Sequence, residues 1–113
     1  INGIIQDIVN YIHENIDTDI SLSAIADKFG YSKEYLSVEF KKVVGSSYIE
    51  FLNTTRIALS AKMLVTTSYP IKKIAVDCGF KDSNYFAAVF RKRMNISPSE
   101  YRELALKEQN DYS

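Results

Sequence analysis

Residues 22–51 read LSAIADKFGYSKEYLSVEFKKVVGSSYIEF, and residues 71–101 read IKKIAVDCGFKDSNYFAAVFRKRMNISPSEY. The second stretch repeats the first. Leu22, Ile25, Ala26, Gly30 and Tyr31 recur 49 positions later as Ile71, Ile74, Ala75, Gly79 and Phe80. One residue is then inserted, and Tyr35, Leu36, Phe40, Lys41, Lys42, Ser47, Glu50 and Phe51 recur 50 positions later as Tyr85, Phe86, Phe90, Arg91, Lys92, Ser97, Glu100 and Tyr101. Each copy holds a short apolar-periodic run, a glycine and a longer apolar-periodic run. That pattern predicts a helix, a sharp turn and a second helix, hence two helix-turn-helix units. The small Ala26 and Ala75 let the paired helices approach, and the glycine supplies the positive φ that the turn needs.

Working outward, Ile4, Ile5, Ile8, Val9, Ile12 and Ile16 fall at helical spacing and predict a first helix over about 3–15. Ser21 caps a second helix that Gly30 stops. Ser32 caps a third, which buries Tyr35, Leu36, Phe40, Val43 and Val44 and ends at Gly45. Ser47-Tyr48-Ile49-Glu50 has the form of a capping box and opens a fourth helix running to about Thr66. Pro70 pre-sets a fifth, Ile71 to Cys78, stopped by Gly79; Asp82 or Ser83 caps a sixth that ends near Met94. Ser97-Pro98-Ser99-Glu100 is a second capping box and opens a seventh. No stretch alternates with a period of two, so the expected fold is all-α. Its seven helices form a first subdomain (1–46), a linker helix (47–66) and a second subdomain (67–113).

A linker of roughly 20 residues is about 30 Å long at 1.5 Å per residue. Successive major-groove segments on one face of B-DNA lie about 34 Å apart. Such a spacer could hold two recognition helices in neighbouring turns of the groove, so that one chain reads an asymmetric site. Repeated helix pairs also build protein-interaction modules, and the repeat alone leaves both readings open. Basic residues at equivalent places, Lys41-Lys42 and Arg91-Lys92-Arg93, favour double-stranded DNA, because phosphate contacts belong there.

The formal net charge of zero conceals an uneven distribution. Residues 1–19 carry −4 and residues 100–113 carry −2, which leaves +6 on the middle, 20–99. Acidic ends around a basic centre still allow a positive face. A single cysteine, Cys78, excludes an internal disulfide and suits a reducing, cytoplasmic compartment; one His and one Cys do not make an ordinary zinc site. No apolar run reaches the roughly 18 residues of a membrane span. Nothing at the start resembles a signal peptide, and no catalytic triad, metal set or phosphate-cradling glycine loop supports an enzyme or a cofactor. The chain opens on Ile1 rather than Met, as a piece of a longer protein would.

The stretches "IAVDCGFKDSNYFAAVFRK" and "ISPSEYR", within a match over about residues 4–107, resemble the DNA-binding domain of the AraC/XylS family of bacterial transcription regulators. The resemblance implies seven helices and two helix-turn-helix subdomains joined by a linker helix. It further implies an N-terminal sensor or receiver domain elsewhere in the protein, and activation of transcription through contact with RNA polymerase. Matched position by position, the family's base-facing residues fall on Glu34, Ser37, Val38 and Lys41 in the first recognition helix. In the second they fall on Ser83, Asn84, Ala87, Ala88 and Arg91. Where the family often has Arg stand Val38 and Ala88, neither able to bond guanine bidentately. Thymine-methyl contact and shape readout are the expected substitutes. The same two departures motivate the alternative of an interaction module with degenerate DNA readout.

Several of these residues also have simpler readings. Asn84 could bond adenine or merely cap its helix. Glu34 could accept from cytosine, but an acid in a first turn chiefly favours the helix dipole. Lys41, Lys42, Arg91 and Lys92 are expected to clamp phosphates, since they recur in both copies. Arg56 matches a linker-helix Arg of the family and is assigned to structure. Cys78 is expected in the core, His13 at the surface, and Tyr35, Phe40, Tyr85, Phe86 and Phe90 in the core.

Overall fold

The computed structural model describes residues 2–112 and contains, among them, seven helices and no strand: α1 (Asn2–Glu14), α2 (Leu22–Phe29), α3 (Lys33–Val44), α4 (Tyr48–Thr66), α5 (Ile71–Asp77), α6 (Ser83–Met94) and α7 (Pro98–Tyr112). The expected all-α architecture of two helix-turn-helix units is the observed one. The outermost residues of the expected subdomains, Ile1 and Ser113, lie outside the described residues. The chain forms two compact units that divide within α4, after Thr55.

In the first unit, Ile5, Ile8 and Ile12 from α1 share a core with Ile25 and Ala26 from α2, Leu36 and Phe40 from α3, and Tyr48 and Leu52 from the start of α4. The Phe40 ring meets Tyr48 and Phe51 edge-on, with centroids 5.2 and 5.4 Å apart. Ser21 Oγ accepts from the Ala24 amide at 3.2 Å, and Ser32 Oγ accepts from the Tyr35 amide at 3.1 Å, so each helix begins at its serine. Between them Gly30 adopts φ 78°, and the Tyr31 amide donates to the Ala26 carbonyl at 3.0 Å. An added Cβ at Gly30 would meet nothing within 4 Å, so the backbone conformation, not space, demands glycine here.

The second unit repeats this closure with different chemistry. Gly79 has φ 94°, and the Phe80 amide donates to the Ala75 carbonyl at 2.9 Å, the counterpart of the Tyr31–Ala26 bond. Pro70 stands at the N-cap of α5 without a side-chain bond, while the Asp82 carboxylate caps α6 by accepting from the Asn84 amide at 2.8 Å. Where α3 ends on Gly45, α6 ends on Asn95, also left-handed at φ 70°. Phe86, Phe90, Ile74, Ala75 and Cys78 pack on Ile57, Ala61 and Leu64 from the later part of α4. Arg102 of α7 donates to the Leu64 and Thr67 carbonyls at 3.0 and 3.3 Å and so satisfies acceptors at the end of α4. The capping box of α7 is reciprocal: the Glu100 amide donates to Ser97 Oγ at 3.1 Å, and the Ser97 amide donates to the Glu100 carboxylate at 3.0 Å. Hydrogen bonding to the carboxylate from the Ser97 amide, and then from its side chain, holds the Glu100 carboxyl below its ordinary pKa.

The structure corrects three burial expectations. Tyr35 is 41% exposed, Tyr85 50% and Val43 40%. Tyr35 and Tyr85 each precede a buried residue, Leu36 or Phe86, and one residue along a helix turns the side chain by about 100°. Each therefore lies about 120° round its helix from the centre of the buried pair, Leu36 and Phe40 or Phe86 and Phe90, and falls outside that stripe. Val43 lies in the last turn of α3, where its neighbour Val44 is the residue that packs on the core. Phe40, Phe86 and Phe90 are buried as expected, and His13 is exposed, its ring centroid 6.4 Å from that of Phe51.

The Tyr48 hydroxyl donates to the Ile20 carbonyl within the first core and ties the α1–α2 connection to α4. Tyr48→Phe keeps the ring but leaves that buried acceptor short of its donor. Urea unfolding followed by circular dichroism should show a loss of about 1–3 kcal/mol; an unchanged midpoint would contradict the role given to this bond.

Candidate nucleic-acid interface

α3 and α6 are amphipathic in the same way. Each buries two residues four apart, Leu36 and Phe40 in α3, Phe86 and Phe90 in α6, and these pairs face their respective cores. Residues opposite that pair on a helical wheel are Glu34, Val38 and Lys41 in α3 and Asn84, Ala88 and Arg91 in α6. All six are exposed, and Val38 is 65% exposed. Ser37 is exposed on the shoulder of its stripe, whereas its counterpart Ala87 and the first-turn Ser83 are half-buried. Lys42 and Lys92 are exposed on the other shoulder. Each unit therefore brings its sequence-predicted residues onto one solvent-facing surface of its second helix.

The two surfaces differ in charge. The last turn of α6 carries Arg91, Lys92 and Arg93, and its first turn holds no acid. α3 ends on Lys41 and Lys42 but has Glu34 in its first turn. Positive charge near a helix C-terminus complements the negative end of the helix dipole, so these cations stabilise the helix that presents them. Because Asp82 accepts the capping bond of α6, the Asn84 side chain is released from the capping role that the sequence allowed it. Glu34 is an exposed acid at the positive end of α3, where it favours the helix dipole.

The guanidinium of Arg56 lies over the Phe80 ring, 6.0 Å from its centroid, in keeping with the structural assignment of that arginine. It borders an open groove of about 440 Å³ with Gly79, Phe80, Lys81, Asp82 and Tyr85, at the turn of the second unit. Lys81 and the two exposed tyrosines were absent from the sequence-derived site. The recurrence of Tyr35 as Tyr85 is legible in the sequence, but there it is indistinguishable from packing. Among the described residues no cluster of His, Cys, Asp or Glu could hold a metal ion, and no helix is long and apolar enough to cross a membrane.

A family model described as a helix-turn-helix domain matches residues 25–104. The regulatory protein SoxS of Escherichia coli K12 is 38% identical over 99 residues, covering 88% of this chain and 92% of the relative. The transcriptional activator AarP of Providencia stuartii is 37% identical over 101 residues, covering 89% of this chain and 75% of the relative. Among solved structures, the DNA-binding domain of the global transcriptional factor AdpA, in complex with a target DNA, has the same fold, with a TM-score of 0.89 at 22% identity over 94% of this chain and 96% of that one.

Cys78 lies beneath this surface as a core residue, its Sγ 3.7 Å from Met63 Sδ. Burial, reinforced by Asp77 and opposed by Arg56, pushes its thiol pKa up to about 11. At pH 8 native protein should alkylate with iodoacetamide about a hundredfold more slowly than urea-unfolded protein. Comparable rates, read by mass spectrometry, would show the thiol to be accessible.

Proposed function

The chain belongs to the AraC/XylS family of transcription regulators, and from that premise we propose that its two units read one asymmetric duplex site, with α3 and α6 in successive major-groove segments. The family is one of DNA-binding regulators and not of enzymes. The observation that carries the proposal is the pair of exposed helix faces, each backed by a buried aliphatic or aromatic pair and ending in cations at equivalent positions. α4, with 19 residues and so a length of roughly 28 Å, suits a spacer between neighbouring turns of the groove.

In this reading Lys41, Lys42, Arg91 and Lys92 neutralise phosphates. Glu34, Ser37, Val38, Ser83, Asn84, Ala87 and Ala88 face the bases. Asn84 is suited to adenine, whereas Val38 and Ala88 offer only apolar contact and favour thymine methyls over guanine. The unbroken positive run at the end of α6 supports a larger share of affinity for the second unit. As a regulator of this family the protein acts in the cytoplasm, activates transcription through contact with RNA polymerase, and receives its signal through an N-terminal sensor or receiver domain.

The test is duplex binding by fluorescence anisotropy across a salt series. Affinity should fall steeply as salt rises. Replacing Lys41 and Arg91 with Ala should weaken binding on any sequence by about tenfold or more and flatten the salt slope by about two phosphates' worth. Unchanged binding in the double variant would remove the clamps from the account. Duplex binding absent altogether would favour a protein-interaction module, which the apolar Val38 and Ala88 would also suit.

A further inference from the structure

The tyrosines that the structure moves out of the core occupy equivalent places in the two copies, and so do their neighbours. Tyr35 stacks on Tyr31, with ring centroids 5.5 Å apart and planes 17° apart. Tyr85 packs on Phe80, with centroids 6.1 Å apart and planes tilted by 53°. Tyr31 and Phe80 are themselves counterparts in the repeat, the first residues beyond the left-handed glycines Gly30 and Gly79. Each turn thus supplies an aromatic platform, and the third residue of the following helix rests a partly exposed tyrosine ring on it.

The position of that ring on its helix gives it a use. Tyr35 and Lys42 are seven residues apart, as are Tyr85 and Lys92. Seven residues bring a helix almost back to the same side, so each pair lines one shoulder of its recognition helix, about 70–95° from the stripe centred on residues 34, 38 and 41 or 84, 88 and 91. When the centre of a helix faces the floor of a groove, its shoulders face the sugar-phosphate walls. A tyrosine ring held by a neighbouring aromatic loses little freedom on binding, and its phenol can donate to a phosphate oxygen.

Resting on the DNA-binding reading above, the geometry points to Tyr35 and Tyr85 as a repeated pair of neutral backbone anchors, each donating its hydroxyl to a DNA phosphate beside the cation one helical repeat away. The surroundings rank the two. Lys81 and Arg56 border the groove beside Tyr85, and the acid there, Asp82, is engaged in capping α6. Glu39 lies with Tyr31 and Tyr35 around a small recess that also includes Ile4, Ile5 and Leu36, and a carboxylate there disfavours an anion. Tyr85 is therefore the stronger anchor.

Tyr35→Phe and Tyr85→Phe remove only the hydroxyls and retain the ring contacts, and thermal melting shows which variants keep the wild-type fold. Anisotropy should show about three- to tenfold weaker binding for Tyr85→Phe, less for Tyr35→Phe, and a larger loss for the double variant. The loss should be equal on a selected target and on a random duplex. The salt slope should match the wild type, because a neutral donor releases no counterion. Wild-type affinity in the double variant would overturn the anchors while leaving the DNA-binding reading intact. A loss confined to the selected target would overturn them too, since it would mean base contact. Wild-type protein that binds no duplex would overturn both readings together.

Discussion

α3 and α6 have 12 residues each, too few to persist alone in water, and each exists because one pair of side chains is buried. Leu36 and Phe40 in the first unit, and Phe86 and Phe90 in the second, anchor one side of their helix in a core. Removing either phenylalanine side chain would cost about 3–5 kcal/mol. The side opposite that anchor is fixed by the same act: once the buried pair is set, the helical period places residues 34, 38 and 41, or 84, 88 and 91, in solvent. The chemistry of the exposed stripe can then change while the scaffold stays constant. This explains how side chains as unlike as Glu34, Val38 and Lys41 can share that stripe without disturbing the unit behind it.

The turns ahead of these helices make the anchoring possible. Gly30 and Gly79 take left-handed backbone, and the amide five residues after Ala26 or Ala75 closes back on that alanine's carbonyl. The short helix can then cross the longer one closely, through an alanine with almost no exposed surface. The units nevertheless use different parts for the same task. A serine caps α3 and an aspartate caps α6; a glycine ends α3 and an asparagine ends α6. Asparagine tolerates the left-handed region better than other side chains, which keeps the second unit closed without a second glycine.

Much of this was legible in the residues. Serines, prolines and glycines marked the helix ends because capping and positive φ are local demands, written within four or five residues. The duplication was legible because its spacing holds over thirty residues. The burial of Tyr35 and Tyr85 was misjudged because an aromatic beside a core position looks the same in sequence whether it points inward or rests on a neighbouring ring. The capping competition between Asp82 and Ser83 also lay beyond sequence reading, since both types accept an amide bond. So did the division of α4 between two cores: Tyr48 and Leu52 serve the first, and Ile57, Ala61 and Leu64 the second. The apolar residues of α4 do not line up in a single stripe, and that is the one sign the sequence offered.

In the proposed binding mode both units engage the same duplex, each through the exposed face of its second helix. Hydroxyl-radical footprinting on a site selected from a random duplex library tests this most directly. Two protected windows on one face of the DNA, about 10 base pairs apart, with unlike sequence preferences, are the predicted result. A single window, or two windows half a turn out of phase, would contradict it.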